Sequence, residues 1–215
     1  MQNNPFCQSS IMDPVKKPIV AAFDFDGTIT TRDSLPYFLL YTSGFFKTFF
    51  KLTLHIPKFI ACLLKIISRQ QLKESLLKSF FYGMPINTLR EKGKKFANGP
   101  LKKIVKQDAI DEIKKQQALG NRCILVSANL DVYLEEFCRL NGFTDCLSSK
   151  VGFDGRGFVT GYLQGVNCRG IEKVKQLEEL LGFKSEYILN AYGDSDGDRE
   201  MLEFADHAFY RVFNK

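Results

Sequence analysis

The stretch that most constrains this chain is Ile19 to Thr28, Ile-Val-Ala-Ala-Phe-Asp-Phe-Asp-Gly-Thr. Ile19 to Phe23 is an uncharged apolar run of the length of a buried strand. A run without polar alternation suits a strand covered on both faces, the condition of a parallel sheet in an α/β protein. The run ends in two aspartates. In extended backbone, residues i and i+2 face the same way, so Asp24 and Asp26 leave the strand end pointing at one place. Carboxylates that close repel each other unless a cation or a shared proton lies between them. Gly27 permits a tight turn, and Thr28 adds a hydroxyl and backbone N–H groups. Taken alone, the same residues fit an ordinary polar turn, because Asp-Gly is common turn chemistry.

The pattern of a strand followed by polar residues recurs twice. Arg122 to Ser127 runs into Ser127-Ala128-Asn129, and Tyr187 to Tyr192 runs into Gly193-Asp194-Ser195-Asp196-Gly197-Asp198. If the three strands are parallel, their ends share one edge of the sheet, where ligands of α/β folds gather. The acidic and hydroxyl groups of residues 194–198 suit a hard cation, although the spacing of an EF-hand is absent. Asn167-Cys168-Arg169-Gly170 leads into a helix over Ile171 to Leu181 that carries Lys173. By its spacing alone, Lys173 reads as a surface lysine. Asp33, nine residues after Asp24, reads as a capping acid ahead of a helix with Pro36 in its first turn.

Taken together and in order, Asp24-Phe25-Asp26-Gly27-Thr28, Ser127, the Asn-Cys-x-Gly-x-x-Lys segment and Gly-Asp-Ser-x-x-Asp resemble the four motifs of the haloacid dehalogenase superfamily of phosphatases, in its phosphoserine phosphatase-like subclass. The resemblance implies an α/β fold with a Rossmann-like parallel-sheet core over residues 18–33 and 99–215. A helical cap, residues 34–98, would sit between the first and second motifs, after a flexible tail over residues 1–17. The resemblance assigns Asp24 as nucleophile and Asp26 as general acid/base. It gives Ser127, Ala128, Asn129 and Lys173 the substrate phosphate, and Asp24, Asp26 and Asp194 a Mg²⁺ ion, with Asp198, Ser195 and Asp33 in support. Phosphoserine phosphatases carry Glu at the offset of Asp33, and the Asp here departs from that pattern. The segments around Lys173 and Asp194, together with the inserted helices, resemble the phosphatidylglycerophosphatase type of the superfamily.

Charge is uneven along the chain. The net charge is +6, from 30 basic and 24 acidic residues. Ser34 to Lys73 contains no Asp or Glu but holds Lys47, Lys51, Lys58, Lys65, Arg69 and Lys73. Removing those six leaves 24 basic against 24 acidic residues, so the whole excess lies in this block. Lys47, Lys51, His55, Lys58, Lys65 and Arg69 recur at helical spacing beside a broad apolar face, with Pro57 kinking the helix or starting a second one. Two readings follow. The block could lie in an anionic membrane interface, or form a cap helix pair with apolar faces packed inward and lysines in water. No nucleic-acid motif accompanies the charge.

Two histidines exclude a multi-histidine metal site, and six scattered cysteines without a C-x-x-C read as reduced thiols of a cytoplasmic protein. The tail lacks the apolar core of a signal peptide. The expected activity is Mg²⁺-dependent hydrolysis of a phosphomonoester through an aspartyl-phosphate, on a lipid phosphate at the inner face of the cytoplasmic membrane. A soluble phosphatase for phosphoserine or histidinol phosphate, and a lipid-binding protein without chemistry, are the rival readings.

Further along, the pattern predicts helices over Gln70 to Tyr82 and Pro85 to Ala97. It predicts one helix over Leu101 to Leu119, with Ile104, Ile110, Ile113 and Leu119 inward. A helix over Asp131 to Leu140, a bulged hairpin over Val151 to Leu163 and a last strand over Ala208 to Phe213 follow.

Overall fold

A computed structural model describes residues 17–213. The expected tail over residues 1–17 therefore lies, but for Lys17, outside the described residues. In chain order the elements are β1 (Ile19–Phe23), α1 (Ser34–Ser43), α2 (Phe45–Leu54), α3 (Ile56–Leu63), α4 (Arg69–Phe81), α5 (Ile86–Asn98), α6 (Gln107–Ala118), β2 (Arg122–Leu130), α7 (Asp131–Leu140), β3 (Asp145–Phe153), β4 (Val159–Gln164), α8 (Ile171–Leu181), β5 (Ile188–Gly193), α9 (Arg199–Phe204) and β6 (His207–Tyr210).

The six strands form one sheet in the order β4-β3-β2-β1-β5-β6. All neighbours are parallel except β3 and β4, which pair antiparallel. β1 is central and buried on both faces, as its apolar run requires. Its alternate side chains feed two cores: Ala21 and Phe23 face the layer of α1 and α4 to α7, while Val20 and Ala22 face Leu177 of α8 and Met201 of α9. Phe23 stacks on Tyr192 at 4.3 Å between ring centroids, and Tyr192 stacks in turn on Phe209 at 4.6 Å.

Strand order reverses direction at β1, with β2 on one side and β5 on the other. The crevice at the carboxyl ends of β1 and β5 is the switch point of a doubly wound sheet. The register pairs Phe23 with both Leu125 and Tyr192, so Asp24, Ser127 and Asp194 emerge at the same edge.

The single helix expected over Leu101 to Leu119 is not formed. Pro100–Ile104 is a short 3₁₀ turn, and the chain is extended at Val105 before α6 begins. The backbone there is claimed by the loop after β1: Thr31 N–H donates to Ile104 O at 2.7 Å and Lys106 N–H to Ile29 O at 2.8 Å. Lys106 Nζ also donates to Gly27 O at 2.6 Å, fastening the Asp-x-Asp-Gly turn from outside. Leu119 lies past the end of α6 and is exposed, not inward. The hairpin of β3 and β4 starts earlier than expected, because Asp145 to Ser149 also pairs with β2. The last strand is likewise shifted, to His207–Tyr210.

Pro57 begins a second helix, α3, instead of kinking one. The polar side of α2 and α3 turns toward α4. Lys51 Nζ donates to Ser79 O and lies over the Phe80 ring, His55 is buried against the carbonyls of Lys51 and Ser75, and Lys58 Nζ donates to Ser75 Oγ at 2.5 Å. The apolar side is left outward: Phe46 is 87%, Leu63 83% and Ile66 72% exposed. This inverts the arrangement of apolar faces packed inward. The five described cysteines are free thiols. No described helix is long and apolar enough to cross a membrane.

Candidate active site

The turn after β1 is held by backbone before any side chain acts. Asp24 N–H donates to Tyr192 O at 2.9 Å, and Ile29 and Thr30 N–H both return to Phe25 O. Gly27 has φ +81°, and a Cβ there would stand 2.2 Å from Asp194 Oδ2. A glycine is needed on both counts. Thr28 Oγ1 donates to Asp194 Oδ1 at 3.3 Å.

Asp24, Lys173 and Asp198 form a buried chain of charges. Lys173 Nζ donates to Asp24 Oδ1 at 2.5 Å, to Asp198 Oδ1 at 2.7 Å and to Val126 O at 2.8 Å. Lys173 is thus a core residue, 1% exposed, fixed near the start of α8. Burial opposes its charge, but Asp24 and Asp198 hold its pKa above the ordinary lysine range. Burial pushes Asp24 up to about 7 against the pull of Lys173. Burial also opposes the charge on Asp198, yet Lys173 and Ser195 hold it below the usual carboxylate range.

Asp198 has no oxygen to spare. Its Oδ2 accepts from the backbone N–H groups of Asp194 and Ser195 and from Ser195 Oγ. It ties the loop after β5 to Lys173. Asp24, Asp194 and Asp198 each offer an oxygen within 4.8 Å of the others. The commitments of Asp198 leave Asp24 and Asp194 as the pair free to share a divalent cation. Burial, then Asp198, raises Asp194. Carboxylates crowded around one ammonium leave an excess of negative charge that a hard cation would relieve. The donor set fits Mg²⁺ in that sense, with oxygen ligands only.

Asp26 faces the cap side of the cavity. Its Oδ1 accepts from Ser34 N–H at 3.0 Å, at the start of α1, and its Oδ2 from Asn129 Nδ2. Burial raises it to about 6 despite the Ser34 bond. Asn129 Nδ2 also donates to Ser34 Oγ, which meets Tyr133 Oη at 3.0 Å. The Asn129 side chain is therefore turned to Asp26. Ser127 Oγ accepts the Asn129 N–H at 3.1 Å, which leaves its own proton to donate. Ala128 lines the same cavity. Asp33 also lines it, but makes no side-chain cap bond to α1.

These groups floor a cavity of about 440 Å³. The motif segments and the basic block named Asn167, Arg169 and Lys73 without a role in the site, and Ser34 only as a helix start; the fold brings all four to it. Its far wall is apolar, built from Leu39, Leu52, Phe59, Leu72 and Leu76. Phe59, of α3, is 41% exposed.

The family model of haloacid dehalogenase-like hydrolases matches residues 21–203. The chain belongs to that family of hydrolases, and the turn after β1, Lys173 and the Asp194 loop all fall within the match. It is 32% identical over 197 residues to Protein CicA of Caulobacter vibrioides (strain NA1000 / CB15N), covering 92% of this chain and 87% of that protein. Its fold is shared with the protein with unknown function from Bordetella pertussis Tohama I, at TM-score 0.75 and 20% identity over 88% of this chain and 87% of that one. It is also shared with phosphoserine phosphatase in apo form, at TM-score 0.56 and 18% identity over 91% and 86% of the two chains.

Proposed function

We propose that the chain is a Mg²⁺-dependent phosphomonoesterase working through an aspartyl-phosphate on Asp24, and that its substrate is a phosphate carried by a lipid, such as phosphatidylglycerophosphate, met at an anionic membrane surface. The observation that carries this reading is the shape of the cavity. Its floor is the Asp24–Lys173–Asp194 cluster, and apolar side chains of the inserted helices, Leu39, Leu52, Phe59, Leu72 and Leu76, line it above.

In the first step an Asp24 carboxylate oxygen forms a bond to phosphorus as the bond from phosphorus to the ester oxygen breaks. Asp26, raised to about 6, delivers its proton to the departing alkoxide. In the second step Asp26 takes a proton from water, whose oxygen attacks phosphorus and frees Asp24. The Ser127 hydroxyl holds a phosphoryl oxygen, and the charge of Lys173, whose three N–H groups are taken by Asp24, Asp198 and Val126 O, offsets negative charge on the adjoining phosphate. A Mg²⁺ held by Asp24, Asp194 and the Asp26 carbonyl would neutralise charge between nucleophile and substrate.

Residues 34–98 act here as the cap that sets substrate choice. Lys47, Lys58 and Lys65 are exposed, and Ser34 to Lys73 contains no acid. Attraction to anionic lipid adds on the order of 1 kcal/mol for each basic residue near the surface. An aryl phosphate, phosphoserine, histidinol phosphate and a short-chain lipid phosphate, assayed side by side with and without EDTA, test the reading. The lipid phosphate should give the highest kcat/KM. A tenfold advantage for phosphoserine or histidinol phosphate would move the assignment to a soluble metabolite. No turnover of any of them would remove the phosphatase.

A further inference from the structure

Three cations besides Lys173 line the cavity: Arg69, Lys73 and Arg169. Lys173 is engaged by Asp24 and Asp198. A second lysine, Lys73 of α4, enters from the cap side. Its ammonium donates to Ala128 O and Asn167 Oδ1, both neutral acceptors, and it forms no ion pair among the described residues. Burial lowers its pKa to about 8, against the upward pull of Asp26 and Cys168, and Arg169 and Lys173 lower it further. A cation drawn out of water without a carboxylate partner is costly unless a ligand supplies the negative charge.

Two more cations share the opening. Arg69 lies one helical turn before Lys73 on the same face of α4, and Arg169 sits in the loop before α8. Neither forms an ion pair among the described residues. Gly197 lets Arg169 approach, since a Cβ there would stand 2.1 Å from its Nη1. The apolar wall of Leu72 and Leu76 continues from the same helix.

We infer that Lys73, Arg69 and Arg169 form a second anion-binding subsite, so that the substrate carries a second phosphate, esterified or free, beside the phosphomonoester that Asp24 attacks. This rests on the phosphomonoesterase reading of the same cavity. Arginine forks and a lysine ammonium together suit the oxygens of a phosphate group. The subsite sets the distance between the two phosphates, and the apolar wall takes whatever chain extends beyond the second.

The test is kcat and KM, with Mg²⁺, for three soluble substrates. The first is a glycerol phosphomonoester linked to a short-chain phosphodiester. The second is the same monoester linked to a free second phosphate, and the third links it through a neutral carboxylic ester. A simple aryl phosphate reports the chemistry alone. Both two-phosphate substrates should exceed the neutral one in kcat/KM by tenfold or more. Preference between those two tells an esterified second phosphate from a free one. Lys73→Gln and Arg69→Gln should cut kcat/KM at least tenfold more for the two-phosphate substrates than for the neutral one, chiefly through KM. Arg69 is exposed, so its variant reports even if Lys73→Gln fails to fold. Aryl phosphate turnover with no preference for a second phosphate, or equal losses across substrates in the Arg69 variant, would overturn the subsite while leaving the phosphatase standing. No aryl phosphate turnover would overturn both.

Discussion

Gly27 and Asp194 stand against each other, the Asp194 carboxylate filling the space where a Cβ on residue 27 would lie. The turn after β1 and the loop after β5 are thereby locked at van der Waals distance. A side chain at 27 would face both a positive φ and a 2.2 Å clash. Gly27→Ala should cost on the order of 1–2 kcal/mol in backbone strain. By moving Asp194 it should also weaken Mg²⁺ binding about 10- to 100-fold. Titration calorimetry with Mg²⁺ and thermal melting check both. Unchanged Mg²⁺ affinity would show that Asp194 is not a ligand.

Asn129, in the lining of the cavity, donates its amide to Asp26. Asn129→Ala removes a donor to a carboxylate, worth about 1.5–3 kcal/mol. It should lower kcat about 10- to 100-fold with KM nearly constant. A raised KM at constant kcat would place the amide on the substrate instead.

Asp131 is buried at the start of α7, its Oδ1 accepting Val151 N–H at 3.0 Å, and burial raises it from 3.8 to about 6. Its ionised form is disfavoured in the folded protein. The contribution of this group is fully present below about pH 4 and is lost as pH rises through about 6. Asp131→Asn keeps the acceptor and removes the charge. The variant should therefore be more stable than the parent by about 2–3 kcal/mol at pH 7.5. Denaturant unfolding at the two pH values checks this, and the gain should vanish near pH 4. A variant less stable at pH 7.5 would show that the carboxylate is stabilised in the fold.

The outward face of α2, α3 and the turn after them predicts membrane binding. Wild-type protein should sediment with anionic vesicles at low salt. Serine at Phe46, Leu63 and Ile66 together should abolish this, since each large apolar side chain withdrawn from water contributes about 1.5–3 kcal/mol. These side chains are already exposed, so the melting temperature should hold. Sedimentation unaffected by the triple change would assign binding elsewhere.

β1 and α7 were legible because their signals are local: an apolar run of strand length, and a helix closed by Asn141-Gly142. The convergence of Asp24, Ser127 and Asp194 followed from parallel pairing, which places every strand's carboxyl end at one edge. Other features depend on partners far away in the chain. Val105 leaves the helical pattern because Ile29 and Thr31, some seventy residues earlier, claim its neighbours' backbone groups. Asp145 to Ser149 has no apolar run to announce a strand beside β2, and it acquires one only by pairing. Periodicity showed that Lys51, His55 and Lys58 share a face with one another. It could not show that α4 would take that face and leave the phenylalanines in solvent. Lys73 counted only as one more basic residue until the fold placed it above Asn167.

The most direct test of the central claim is the site of phosphorylation during turnover. An Asp26→Asn variant, slowed in the second step, is mixed with aryl phosphate and Mg²⁺, quenched in acid and mapped by mass spectrometry. The account predicts a phosphoryl group on Asp24, and none when Asp24→Asn is added. Turnover by the parent with no adduct in either protein, or an adduct on another residue, would contradict it.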